Sequence, residues 1–285
     1  MIPAQNIIAW SRQAPWAEQR QVEQDLIISR ALVELFGDPF LAQELRFRGG
    51  TALNKLHFPK PLRYSEDIDL VRTTGGPIGP VLDRVREVLD PWLGQPRFDQ
   101  SPVAPKFRYV IEGEDGIPIR LKLEINTRER EAYDPIRLHP FRVENPWFSG
   151  AADIPTFSNE EMLATKLRAL LQRKKGRDLI DLSHALATFE ALDVQKVVDL
   201  FGRYLAASDA AISRAQAEQR MFEKLDDRNF MADVRPLLAA DERDAFDEAA
   251  ALTSFIAVFD RIIRLIPGAA WAHTNEMRER FGLPI

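Results

Sequence analysis

Apolar residues along the chain follow two spacings, which predict helices in some stretches and strands in others. Residues 17–36 and 78–93 carry apolar side chains every three or four positions, as on one face of a helix. Residues 106–111 and 117–126 instead alternate polar and apolar side chains, which is typical of strands. Shorter elements are predicted as helices at 38–45 and 51–57, strands at 46–48 and 67–70, and an edge strand at 136–143.

After residue 156 the helical spacing continues alone. Helices are predicted at 158–174, 177–189, 194–205, 210–225 and 240–266. This change predicts two domains, 1–156 and 157–285, in the α+β class: a mixed sheet flanked by helices, followed by an all-helical C-terminal domain.

The first sixteen residues show neither spacing, and Pro3 and Pro15 interrupt them. We expect this segment to be irregular, with Trp10 and Trp16 exposed. Two interpretations stay open: an arm that docks on the body of the protein or on a partner, and a mobile terminus.

Composition and charge narrow the classes of function. The 285 residues carry a net charge of −5, so a global basic surface for nucleic acid is excluded and any such contact must be a local patch. The absence of cysteine excludes disulfides, thiolate zinc sites and cysteine nucleophiles. Neither a signal peptide nor an apolar stretch long enough to span a bilayer is recognised, so we expect a cytoplasmic protein without a membrane partner.

The candidate chemistry lies in two neighbouring stretches. Gly49 and Gly50 stand at the mouth of the short helix at 51–57, where backbone N–H groups can approach an anion. Asp67 and Asp69 alternate with apolar residues on the following strand and therefore point to one face. Adjacent carboxylates repel unless a cation lies between them, and Mg²⁺ prefers carboxylates together with substrate phosphates. The two stretches predict metal-dependent chemistry on a nucleotide; the alternative is a surface hairpin with a solvated acidic end.

The order of these motifs resembles the nucleotidyltransferase superfamily and, within it, the AbiEii toxin family. The resemblance is carried by Gly-Gly-Thr-Ala-Leu at 49–53 and Arg-Tyr-Ser-Glu-Asp-Ile-Asp-Leu at 63–70. It implies a nucleotidyltransferase-fold sheet, and a toxin of bacterial type IV toxin–antitoxin pairs and phage-defence loci with a cognate antitoxin. Nucleotidyltransferases also carry a third carboxylate on a later strand. Glu124, on the polar face of 117–126, fits that place; the alternative is a surface glutamate flanked by Lys122.

Basic residues cluster at 166–177 although the whole chain is acidic. Lys166, Arg173 and Arg177 recur at intervals of one or two helical turns, so some of them share a face; the alternative is ordinary ion pairing on a solvated helix. AbiEii-like proteins carry a similar block. The resemblance implies that Lys166 and a downstream aspartate, either Asp181 or Asp178, complete the active site.

Together these features predict transfer of a nucleoside monophosphate from a nucleoside triphosphate (NTP), assisted by Mg²⁺ or by Mn²⁺ in its place. Predicted metal ligands are Asp67, Asp69 and Glu124; predicted phosphate-binding residues are Gly49, Gly50, Thr51, Ser65 and Lys166; the predicted catalytic set is Asp67, Asp69, Glu124, Lys166 and Asp181. The resemblance implies the 3′ end of a tRNA as acceptor, with a local patch of Lys174, Lys175 and Arg177 as an RNA contact; a protein hydroxyl is the other acceptor considered. The rival hypotheses are a non-catalytic nucleotide-sensing or partner-binding protein, a nuclease and a kinase.

Overall fold

The computed structural model describes residues 2–284, and the chain divides into two compact units, 1–158 and 159–285. The helices of the first unit are α1 (Ala4–Trp10), α2 (Gln19–Gly37), α3 (Pro39–Glu44), α4 (Gly49–Ala52), which a π-helical turn (Leu53–His57) continues, and α5 (Gly79–Leu93). Its strands are β1 (Leu45–Arg48), β2 (Asp67–Arg72), β3 (Arg97–Asp99), β4 (Lys106–Glu112), β5 (Pro118–Asn126), β6 (Arg137–Asn145) and β7 (Phe148–Thr156).

Within residues 2–284 the strands form one mixed seven-stranded sheet in the order β3-β4-β5-β2-β1-β7-β6. Strand β2 lies at its centre, parallel to β5 and antiparallel to β1. Ile68 and Leu70 point from β2 into the core and are fully buried, while α2 packs against β5, β6 and β7. Because side chains alternate along a strand, Asp67 and Asp69 lie on the opposite face. The predicted mixed sheet flanked by helices is confirmed.

The N-terminal segment corrects one expectation. Residues 4–10 form α1, and both Trp10 and Trp16 are buried rather than exposed. Their indole Nε1 groups donate to the carboxylate of Asp25 on α2, at 2.8 Å and 3.2 Å. A buried carboxylate requires hydrogen-bond donors, so this segment docks on the body of the protein.

The second half of the sheet was only partly predicted. The edge strand expected at 136–143 is confirmed as β6, but its hairpin partner β7 was missed. Small residues, among them Gly150, Ala151 and Ala152, leave β7 without a clear alternation of apolar and polar side chains. β7 joins β1 in parallel through the pair Phe47 and Thr156, so the hairpin completes the sheet beside the predicted site.

The second unit contains the helices α6 (Asn159–Gln172), α7 (Gly176–Thr188), α8 (Val194–Ala206), α9 (Arg214–Leu225), α10 (Ala240–Ala245), α11 (Glu248–Arg261) and α12 (Thr274–Arg280). The single long helix predicted at 240–266 is wrong. Asp247 caps α11 by accepting a hydrogen bond from the backbone N–H of Ala250 at 2.8 Å, and the new helix start separates α10 from α11. Among residues 2–284, every helix is too short or too polar to traverse a bilayer.

Candidate functional site

One row of charged side chains crosses four adjacent strands on the open face of the sheet. The strand register pairs Arg48 with Asp69, Asp69 with Glu124, and Glu124 with Lys106. Residues paired in register share a face of the sheet, so the two carboxylates stand side by side with a cation at each end of the row. The spacing along the sequence could not show whether Glu124 lies near the aspartates of β2. It does, because β5 lies next to β2 and pairs Glu124 with Asp69.

A second row lies two residues away and brings a lysine among the acids. Asp67 is in register with Lys122, and Lys122 Nζ lies 2.8 Å from Asp67 Oδ2 and 3.6 Å from Glu124 Oε2. Lys106 Nζ lies 3.3 Å from the same Glu124 oxygen. All four side chains of these ion pairs are about one-third exposed, so the pairs are open to solvent and to competing ligands.

The charge of Asp69 is only partly compensated by its neighbours. Burial, followed by repulsion from Asp67, raises its pKa above the ordinary value, and the attraction of Lys122 only partly offsets this. Because these two effects disfavour the ionised form of Asp69, a cation bound nearby would stabilise that form.

The glycine turn is shaped by this same aspartate. Gly49 has φ +86°, in the left-handed region, and a Cβ atom built on it would lie 2.2 Å from Asp69 Oδ2. Any side chain at position 49 would therefore both strain the backbone and displace the carboxylate. The turn and the acidic strand, which are separate motifs in the sequence, are one packed unit in the fold.

Side-chain hydrogen bonds hold the turn onto the start of β2. The hydroxyl of Thr51 donates to the carbonyl of Asp67 at 2.5 Å and lies 2.8 Å from the hydroxyl of Ser65. Asn54 donates to the carbonyl of Gly50 at 2.9 Å and accepts from two backbone N–H groups of the 58–66 loop at 2.8 Å and 3.0 Å. A cavity of about 230 Å³ opens here, lined by Thr51 and Ser65 together with aromatic and basic side chains that include Trp16 and Arg63.

The oxygen atoms of this face suit a hard divalent cation. Asp67, Asp69 and Glu124 offer carboxylate oxygens on one face, and Lys122 stands where a cation would balance them. In the described part of the chain, however, no three acidic or histidine side chains converge as a formed metal centre. The carboxylate oxygens are thus of the kind that Mg²⁺ prefers, but among the described residues they are not arranged as a formed metal centre.

The second unit holds the other predicted residues in a buried ion-pair cluster. Lys166 Nζ on α6 lies 3.1 Å from Asp178 Oδ1 and 2.8 Å from Asp181 Oδ2 on α7, and all three residues are buried. Arg173 forks onto Asp178 with bonds of 2.7 Å and 2.8 Å. Although burial opposes it, the charges of Lys166 and Arg173 hold the pKa of Asp178 below its ordinary value.

Sequence reasoning thus located two groups, and the fold makes each of them coherent within its own unit. Gly49, Thr51, Ser65, Asp67, Asp69 and Glu124 meet in the first unit; Lys166, Asp178 and Asp181 meet in the second. The structure places both Asp178 and Asp181 on Lys166, so these contacts alone do not select one of them as the functional aspartate. Sequence reasoning missed the roles of Arg48, Lys106 and Arg173; strand register, which periodicity does not supply, is the signal that finds the first two.

Comparison with known proteins agrees with this geometry. The family model described as nucleotidyl transferase AbiEii toxin, type IV TA system, matches residues 30–252 and so includes both groups of residues. No curated protein matches the chain in sequence.

Solved structures show the same fold. The nucleotidyltransferase toxin MenT4 from Mycobacterium tuberculosis H37Rv is similar with a TM-score of 0.61 and 20% identity, over 99% of this chain and 99% of that one. JHP933 from Helicobacter pylori is similar with a TM-score of 0.50 and 16% identity, over 94% of this chain and 97% of that one. The predicted nucleotidyltransferase-type fold is confirmed.

Proposed function

Because the chain belongs to the AbiEii family of nucleotidyltransferase toxins of type IV toxin–antitoxin systems, we propose that it transfers a nucleoside monophosphate from an NTP to an acceptor hydroxyl. The observation that carries this proposal is the register of β2 and β5, which sets Asp69 beside Glu124 on the face where Gly49 packs. That arrangement joins a glycine turn, whose N–H groups can approach a phosphate, to an acidic face that can hold a metal ion.

In the proposed step the acceptor oxygen forms a bond to the α-phosphorus, and the bond from that phosphorus to the bridging oxygen of the β-phosphate breaks. Pyrophosphate leaves with the electron pair. Glu124, which is partly exposed and held only by lysines at 3.3 Å and 3.6 Å, accepts the proton of the acceptor hydroxyl. The register of β2 and β5 keeps Asp67, Asp69 and Glu124 on one face, and such fixed positions favour in-line attack on a bound NTP.

Asp67 and Asp69 are the proposed metal ligands, with Glu124 beside them. Mg²⁺, or Mn²⁺ in its place, would supply charge neutralisation of the transferred phosphate. The register that sets Asp69 beside Glu124, on the face that also carries Asp67, supports this assignment, because neighbouring carboxylates are stabilised by a cation between them.

Phosphate binding is assigned to the N–H groups of Gly49 and Gly50 and to the hydroxyls of Thr51 and Ser65. The cavity beside the two hydroxyls supports it. Lys166 and Asp181 are proposed to be required for transfer, as the family resemblance implies; within the second unit, two carboxylates fix the ammonium group of Lys166.

By family resemblance, the proposed acceptor is the 3′ end of a tRNA, whose modification would block aminoacylation and growth. The type IV toxin family further implies an antitoxin partner, and the proposed site of action is the cytoplasm. A hydroxyl on a protein is the alternative acceptor.

The test incubates the purified protein with Mg²⁺, total bacterial tRNA and each α-labelled NTP in turn. Asp67→Ala/Asp69→Ala is compared with Asp83→Ala/Glu112→Ala, a double variant with the same charge change at two exposed acids. We expect label on RNA with the wild type and the control, and none with the aspartate variant. Label on the protein itself would identify a protein acceptor instead.

One observation favours a second candidate, a non-catalytic nucleotide-sensing protein of the same fold. Lys122, 2.8 Å from Asp67, already supplies a positive charge among the acids. If no acceptor is labelled while an NTP binds and the aspartate variant retains toxicity, this candidate replaces the transferase.

A further inference from the structure

A basic groove lies on the second unit between the C-terminal end of α6 and the face of α9. Its volume is about 490 Å³. Four basic side chains line it: Arg173 and Lys174 directly after α6, and Arg220 and Lys224 on α9. We refer to these four residues as the basic groove.

Lys224 is the most unusual member, because it is buried without a counter-ion. It is 5% exposed, and its ammonium group donates to the carbonyl of Arg173 at 3.0 Å. Among residues 2–284 no carboxylate lies within ion-pair distance of it. Burial, followed by the charges of Lys174 and Arg220, lowers its pKa. The ammonium group of Lys224 is therefore desolvated near two other basic side chains, and the charges of Glu223 and Asp178 offset this only in part.

Arg220 stands one turn before Lys224 on the same face of α9 and shows the same pattern. It donates one N–H to the carbonyl of Leu171 at 3.2 Å, and in the described residues it too has no acidic partner. Glu223, the acid in the lining, accepts instead from Gln219 at 3.0 Å.

Capping of α6 explains only part of this arrangement. Basic side chains near a helix C-terminus satisfy its last carbonyls and favour its dipole. That role uses one donor of a guanidinium that has five and one donor of an ammonium that has three. It leaves unexplained why the remaining donors of Arg220 and Lys224 line an open groove. Arg173 and Lys174, whose side chains are 48% and 64% exposed, line the same groove, although each also has an acidic partner, Asp178 and Asp227 respectively.

We propose that the basic groove binds closely spaced phosphate groups, either of an RNA backbone or of a nucleotide polyphosphate. Lys224 and Arg220, which have no carboxylate partner among residues 2–284, share this groove, and an anion with several acceptor oxygens, such as phosphate, would stabilise them there. Binding by the RNA backbone rests on the proposed function, in which RNA is the acceptor; the phosphate site itself does not.

The test measures binding without turnover, in the absence of Mg²⁺. Arg220→Gln/Lys224→Gln is compared with Arg228→Gln/Arg243→Gln, which removes two positive charges from exposed positions outside the groove. Glutamine at 224 can still donate to the carbonyl of Arg173. One arm titrates a short labelled single-stranded RNA at several salt concentrations, and a second follows thermal stabilisation by tripolyphosphate and by NTP.

We expect the groove variant to bind RNA about tenfold more weakly, with the slope of log affinity against log salt reduced by about 1 to 1.5. Loss of stabilisation by tripolyphosphate and NTP, with RNA binding unchanged, would support the site and identify the nucleotide as the source of phosphate. Equal behaviour of the two double variants in both arms would overturn it. If the groove variant does not fold, Arg220→Gln alone, at a partly exposed position, decides with about half the change in slope.

These outcomes separate the groove from the proposed function. A protein that labels no acceptor yet shows the expected loss of binding would retain the groove and lose the transferase. If an acceptor is labelled but the two double variants bind equally, the transferase is retained and the phosphate-binding groove is rejected.

Discussion

The acidic face of the sheet and the buried Lys166 cluster contain similar residue types but shift the pKa of an aspartate in opposite directions. On the sheet, Asp67 and Glu124 pair with lysines at a partly exposed surface, and burial raises the pKa of Asp69 beside them. In the helical unit, Asp178 and Asp181 are buried against Lys166, and the pKa of Asp178 is lowered. An acid left undercompensated at a surface is available to a ligand, whereas one fully paired in the interior fixes its partner. The two regions thus differ in what they can do although their residue types are alike.

The substitution Asp69→Asn has the largest expected effect and tests whether the acidic face serves catalysis rather than folding. Because the change removes the carboxylate that we assign to the metal, we expect nucleotide transfer to fall by about 10³-fold or more. Thermal stability should stay the same or rise, since repulsion from Asp67 disappears. Labelling kinetics and thermal melts of the same samples measure both effects. A large loss of stability would place Asp69 with the structural ion pairs instead.

Lys166→Met tests the buried cluster. It leaves Asp181 without this cation and Asp178 with Arg173 alone, so we expect the free energy of unfolding to fall by about 3–5 kcal/mol. Urea unfolding followed by circular dichroism measures it, with Lys175→Met at an exposed position as the control. A loss no larger than that of the control would mean that the cluster contributes little to folding.

Gly49→Ala tests the geometry of the acidic face separately from its charge, because it displaces Asp69 without removing a carboxylate. The new Cβ would meet Asp69 Oδ2 at 2.2 Å at a backbone conformation that alanine disfavours. We expect a loss of about 1–3 kcal/mol in unfolding free energy and a transfer rate at least about tenfold lower. Gly37→Ala, where nothing lies within 4 Å of the built Cβ, is the matched control and should be close to neutral in both assays.

The smallest expected effect is on the pH dependence of stability. The raised pKa of Asp69 means that the native state keeps its proton at a pH where the unfolded chain has lost it. As pH rises from the unfolded pKa through the folded one, Asp69 therefore lowers the free energy of unfolding. Asp178, with a lowered pKa, acts in the opposite direction: its contribution is present above the unfolded pKa and is lost as pH falls through the folded one.

We accordingly expect Asp69→Asn to gain stability relative to the wild type as pH rises through this window. Denaturant unfolding at a series of pH values measures the difference. A difference that does not vary with pH would show that Asp69 titrates alike in the folded and unfolded states.

Features within single helices and strands could be predicted from the amino-acid sequence alone. Alternation along β2 put Asp67 and Asp69 on one face, and helical spacing marked α2, α6 and α7. These features depend on the periods of single elements, which neighbouring residues fix. The two glycines and the aspartates also sufficed for the family resemblance that the family match confirms.

Which strands and turns lie next to each other is visible only in the folded structure. Periodicity could not show that β5 lies beside β2, which pairs Asp69 with Glu124, nor that Gly49 packs on Asp69. It also misjudged Trp10 and Trp16, because their burial depends on Asp25, a distant polar residue that needs donors. Contacts between residues far apart in the chain follow from packing and from the pairing of buried polar groups, and no single segment encodes them.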